Sequence, residues 1–152
     1  MKRSCLFIGC LVGVELLGME DALVHPQGAG RNLSEEIVLT EAAGEPMECK
    51  IGVAEVLRNR RWDPRGFAGI QRTDLQRFLQ SQPTRAHQEA KKAVEKARNG
   101  SDLTHQATHF ENIEAFGVPP WARSMEKTTR LGQLTFFKER APKEKSTSHR
   151  RA

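Results

Sequence analysis

The amino-acid sequence predicts a mainly helical α+β chain. Two observations carry that prediction. Apolar residues recur at helical spacing through 34–60 and again through 83–99. After Gly100 the period shortens to that of extended chain, over 107–111 and 129–138. Helices that come first and strands that follow belong to the α+β class.

At 152 residues the chain suits one domain. The N-terminal stretch stands apart from it. Lys2 and Arg3 precede an apolar run from Cys5 to Val14, which Glu15 interrupts. That run is short for a bilayer and fits the hydrophobic part of an export signal, with a buried N-terminal helix as the competing reading. Residues 1–24 are therefore expected to be a signal peptide or N-terminal apolar segment, providing the chain's only membrane contact. Residues 25–33, with Pro26 and Gly28-Ala29-Gly30, read as a linker. Cys5 and Cys10 lie in the leading segment, so its removal leaves Cys49 without an intrachain partner.

Ser34-Glu35-Glu36-Ile37-Val38-Leu39 opens the first helix, with Ser34 as N-cap. Gly44 suits a left-handed closing residue, and Pro46 suits the first turn of the next helix. Glu41 and Glu45 then flank a helix-to-helix corner. Two carboxyls held at a bend amid apolar neighbours are candidates for acid–base chemistry, although a capping and a solvated glutamate give the same spacing. The second helix, 46–60, is apolar around most of its circumference and so belongs in the core.

Pro64 and Gly66 are expected to break that helix. Thr73-Asp74 can cap a short helix carrying Leu75, Phe78 and Leu79. From Pro83-Thr84 a longer one runs to Asn99-Gly100, with Ala86, Ala90, Ala93, Val94 and Ala97 on one face. Its other face mixes Lys91, Lys92, Lys96 and Arg98 with Glu95, which reads as solvated. The strands of the second half enclose a loop, 116–121, that holds Trp121. Residues 139–152 lack apolar periodicity and read as a basic disordered tail.

A net charge of +5 favours an acidic partner: nucleic acid, anionic lipid or an anionic polymer such as peptidoglycan. Nucleic acid is the poorest fit, because the lysines share faces with glutamates and few aromatics are interleaved. His105 and His109 have the i, i+4 spacing of a zinc site, but Gln106 stands where the metalloprotease motif needs glutamate, and no third ligand is evident. No metal and no cofactor are expected. Cys49 on the apolar helix reads as a small buried hydrophobe. Trp121, after Pro119-Pro120, suits either packing or stacking on a sugar ring.

These signals fall in a recognisable order. Thr40-Glu41-Ala42-Ala43-Gly44-Glu45-Pro46, followed by Val53-Ala54-Glu55-Val56-Leu57-Arg58-Asn59-Arg60, resembles the opening of the cell wall hydrolases of the SleB type, the spore-cortex-lytic enzymes and their relatives. Ala107-Thr108-His109-Phe110-Glu111-Asn112, Pro120-Trp121, Leu131-Gly132 and Phe136-Phe137 resemble its second half. The likeness covers roughly residues 35–138, and the catalytic domain it implies spans 34–138. It implies a compact lysozyme-like domain with a small antiparallel β element, and cleavage of the glycan strand of peptidoglycan between N-acetylmuramic acid and N-acetylglucosamine. It implies Glu41 as the catalytic acid and Glu45 as a candidate second carboxylate, for which the helix start favours a structural role. His109, Phe110, Asn112 and Trp121 are the implied substrate-binding residues. Peptidoglycan is the implied partner of an exported, monomeric enzyme acting as a lytic transglycosylase or muramidase.

The family usually carries glycine where Thr40 stands, arginine where Ala43 stands and histidine where Leu134 stands. Its glutamine-phenylalanine-serine segment reads Asp74-Leu75-Gln76 here. These departures sustain an alternative, a catalytically impaired peptidoglycan-binding protein.

Overall fold

A computed structural model describes residues 32–141 of the chain. Helices α1 (Leu33–Ala42) and α2 (Met47–Asn59) precede a 3-10 turn (Gly69–Gln71), α3 (Leu75–Ser81) and α4 (Thr84–Arg98). Strand β1 (His109–Glu111), the short α5 (Ile113–Phe116), a second 3-10 turn (Pro120–Ser124), β2 (Glu126–Leu131) and β3 (Leu134–Lys138) complete the order. The sheet runs β1-β3-β2, and both pairings are antiparallel. The expected signal segment at 1–24, most of the expected linker and nearly all of the basic tail lie outside the described residues. Among those described, no helix is long and apolar enough to cross a membrane.

The core is built around α2. Every residue from Cys49 to Leu57 is buried, so over that stretch the helix has no face left for solvent. Ile37, Val38, Leu39 and Ala42 of α1 cover one side, and Ala90, Ala93, Val94 and Ala97 of α4 another. The alanines of α4 allow close helix approach, while Lys91, Lys92, Glu95, Lys96 and Arg98 stay exposed as their mixed charges predict. Phe136 of β3, with no exposed surface, closes the cluster from the sheet side. The large ones among these, such as Ile37, Leu39 and Phe136, each contribute about 1.5–3 kcal/mol. Lys50 is 4% exposed and pairs with Glu89 at 2.7 Å, so its charge is compensated.

Several boundaries differ from the sequence expectation. Helix α1 starts at Leu33, with Asn32 rather than Ser34 in the N-cap position. Gly44 is not left-handed; the corner turns on Ala43 in ordinary helical conformation, with the Glu45 N–H bonded to the Ala42 carbonyl at 3.1 Å. Pro46 is the N-cap of α2 rather than part of its first turn. That helix ends before Pro64 and Gly66 are reached, because Arg61 and Trp62 take left-handed φ of 57° and 61°. Their N–H groups bond back to Arg58 and Leu57, each at 2.8 Å, which offsets part of a strain of about 1–3 kcal/mol per residue.

The single strand expected over 129–138 is a hairpin. Leu131 pairs with Leu134 across Gly132-Gln133, and Gly132 has φ +56°, a conformation that favours glycine in a tight hairpin loop. Four consecutive residues of β3 are buried, Leu134 and Phe136 in the helical core and Phe137 in a satellite cluster with Ala122 and Met125. Burial on both faces erases the alternation that would have marked the turn. The loop expected over 116–121 in fact takes up the end of α5 and the start of the second 3-10 turn.

The C-terminal half of α2 also fixes the connector leading to β1. Glu55 has no exposed surface, and its carboxylate accepts the Leu103 N–H at 3.0 Å, the Thr104 N–H at 2.9 Å and the Thr104 hydroxyl at 2.8 Å. Arg58 donates to the carbonyls of Ala97 and Ser101, and Asn59 to that of Ala107. Replacing Glu55 by alanine strands three donors in a dry site, and is expected to destabilise the domain by about 3 kcal/mol or more in urea denaturation, with Glu55→Gln intermediate. A loss below 1 kcal/mol for the alanine variant would show that the connector relaxes freely.

Candidate active site

Glu41 sits in the last turn of α1, where its side chain leaves the core and meets the segment that returns from α2. Its Oε1 accepts the backbone N–H of Gly69 at 2.7 Å. A Cβ on residue 69 would lie 2.5 Å from Thr40, so only glycine lets the backbone come this close. Across a cleft of about 270 Å³ from this wall stand His109, Phe110 and Glu111 of β1, together with Trp121. Arg60, Phe67 and Val56 complete the lining that bears on the chemistry.

Burial pushes the Glu41 carboxyl above the ordinary range for glutamate. The Gly69 N–H opposes that shift, and the negative charge of Glu111 reinforces it. Glu111 has one oxygen taken by the Asn112 N–H at 2.9 Å. Each of these two carboxyls therefore has Oε1 tied to a backbone N–H, and among the described residues no hydrogen bond engages either Oε2. One group inclined to keep its proton beside a second carboxylate is the arrangement that acid–base chemistry on a substrate needs.

His109 is half-buried and its ring lies 5.2 Å from that of Trp121, which in turn meets Phe137 edge-on at 5.5 Å. Burial and the nearby Arg60 charge lower its pKa, with Glu139 opposing, so the imidazole is neutral at pH 7. His105 does not approach it: this residue lies in an exposed left-handed turn with φ 52°. Cys49 is fully buried, and burial together with Glu45 pushes its thiol up to about 12. Such a thiol is no nucleophile at neutral pH.

The structure thus brings Glu41, His109, Phe110 and Trp121 to one cleft, and leaves two of the expected residues outside its lining. Glu45 does not cap α2; its Oε2 accepts the Gln133 N–H at 2.9 Å and ties the helix corner to the β2–β3 turn. Asn112 caps α5 through the Ala115 N–H at 3.0 Å and reaches Gln133 at 3.2 Å. Ala43, Leu75, Gln76 and Leu134 are likewise absent from the lining, and Leu134 belongs to the core. Sequence reasoning missed Glu111, although it adjoins Phe110 in the same short strand. It also missed the Gly69 N–H, which no side-chain pattern announces.

Comparison with known proteins places this geometry. Residues 44–137 match the model of a family described as cell wall hydrolase, a span that begins just after Glu41. The catalytic domain of the Bacillus cereus SleB protein superposes with a TM-score of 0.54 and 27% identity, covering 70% of this chain and 87% of that one. The catalytic domain of the germination-specific lytic transglycosylase SleB from Bacillus anthracis does so at 0.53 and 25%, covering 74% of this chain and all of the other. No curated protein matches the sequence.

Glu111→Gln removes a negative charge that favours the protonated form of Glu41, and is expected to lower the Glu41 titration midpoint followed by its side-chain carboxyl ¹³C shift. A midpoint that does not move would mean that burial and the Gly69 N–H set it without Glu111.

Proposed function

The chain belongs to the cell wall hydrolase family, and on that premise we propose that it cleaves the glycan strands of peptidoglycan between N-acetylmuramic acid and N-acetylglucosamine, with Glu41 as the catalytic acid and then base. The observation that carries this reading is a single one: a half-buried carboxyl with a raised pKa, held by the Gly69 N–H, at the wall of a cleft.

A glycosidic oxygen leaves poorly unless it is protonated as its bond to the anomeric carbon breaks. Glu41 donates that proton. The oxocarbenium-like centre that develops then faces the carboxylates of Glu41 and Glu111, whose negative charge stabilises it. The 6-hydroxyl of the same muramyl residue attacks the anomeric carbon and passes its proton to Glu41, which restores the acid and leaves a 1,6-anhydro end. No separate nucleophile and no activated water is needed. Trp121 and Phe110 supply ring surface for the sugars, and the neutral His109 supplies a hydrogen-bonding edge. Peptidoglycan lies beyond the cytoplasmic membrane, so this function calls for export, which a signal at 1–24 would provide.

The second reading, a peptidoglycan-binding protein without turnover, draws on the family positions that differ here, Thr40 above all, because it packs against Gly69 beside Glu41. Digestion of purified peptidoglycan, with products read by mass spectrometry, separates the two. Anhydro-ended muropeptides are expected from the wild type, with a loss of at least about 100-fold in Glu41→Gln. Sedimentation with the polymer and no products would favour the second reading. Activity is expected to fall as pH rises through the elevated Glu41 midpoint, because the acid form is then lost, and Glu111→Gln should move that alkaline limb toward lower pH.

A further inference from the structure

Arg60 is the basic side chain in the cleft lining, and it is held there from several directions. It follows α2 directly, at the helix C-cap. Its guanidinium lies over the Phe67 ring, 4.9 Å from the centroid. One Nη2 N–H donates to the Arg65 carbonyl, and the group rests against Gly66, where an added Cβ would stand 3.2 Å from Nη2. Among the described residues it forms no ion pair. Asp63, whose carboxylate feels its charge, is occupied by Arg65 through contacts of 2.6 and 2.9 Å. The remaining N–H groups of a planar, pre-oriented guanidinium therefore stand free in a cleft that also holds Glu41, Glu111 and His109.

A guanidinium fixed in this way matches a carboxylate, which it can grip through parallel N–H donors. Among the described residues nothing supplies that carboxylate, and the substrate offers two kinds. One is the lactyl carboxylate of a muramyl residue without its peptide, and the other belongs to the peptide stem. We propose that Arg60 is the anion-recognition group of the cleft: it binds a carboxylate of the muramyl unit and makes the site selective for peptidoglycan over uncharged glycans. This assignment rests on the cleavage reading above. Glu41 and Glu111 do not cancel it, since among the described residues neither pairs with Arg60, and the cleft presents both kinds of charge to one substrate.

The test compares glycan strands stripped of peptide, the same strands with their lactyl carboxylates converted to methylamides, and peptide-bearing strands with and without the same treatment of the stem carboxylates. Binding is measured by calorimetry in a Glu41→Gln background, so that the outcome does not depend on turnover, and KM in the active protein is measured beside it. With Arg60 present, amidation is expected to weaken binding about tenfold or more, as loss of a hydrogen bond to a charged group does. With Arg60→Gln that penalty should vanish, and with Arg60→Lys part of it should remain. A penalty on stripped strands identifies the lactyl group as the source, and one on peptide-bearing strands identifies the stem. If amidation costs the Arg60→Gln protein as much as its parent on both substrates, or costs neither protein anything, the proposal is overturned. Binding that follows this pattern without any cleavage by the active protein would overturn the cleavage reading and leave Arg60 as the anion site.

Discussion

The burial of α2 on all sides is the constraint from which the rest of the structure follows. A helix with no solvent face must be enclosed, and α1, α4 and Phe136 enclose it. Enclosure also fixes what happens at its two ends. At the N-terminal end the corner with α1 sets Glu41 on the rim and turns Glu45 toward the β2–β3 loop. At the C-terminal end a pair of left-handed residues, Arg61 and Trp62, redirects the chain so that the segment after α2 runs back under Glu41. Their strain is local, and the packing around them keeps it in place.

The same helix organises the opposite wall from a distance. Glu55, Arg58 and Asn59 bind the connector between α4 and β1, and thereby fix where β1 leaves it. His109, Phe110 and Glu111 face Glu41 because a buried carboxylate on α2 holds the loop that precedes them. Core and site are in this sense one hydrogen-bonded unit, and the cleft opens between its two arms.

Within the cleft, opposite charges are kept apart instead of being paired. Glu41 is desolvated and beside another carboxylate, which favours its proton, whereas Arg60 is fixed on Phe67 and on a carbonyl, neither of which neutralises it. A salt bridge between them would have occupied both groups. Their separation leaves both groups available to a ligand, a cost in stability that functional sites commonly carry.

What the sequence determined by itself was local or periodic. Helical spacing located α2, α3 and α4 and the faces they bury. The order of short motifs singled out Glu41, His109, Phe110 and Trp121, which meet in one cleft. The tertiary structure alone decided which neighbours those residues would have. The same motifs also singled out Glu45 as a possible second carboxylate and Asn112 for substrate binding, yet the Gln133 N–H and the α5 cap draw them away. Glu111 and Arg60 enter the cleft, and the Gly69 N–H reaches Glu41, because packing brings together segments far apart in the chain, and no periodicity records that. The strand expected over 129–138 divides in two for a related reason: a strand buried on both faces shows no alternation, so its turn rests on the backbone conformation of one glycine.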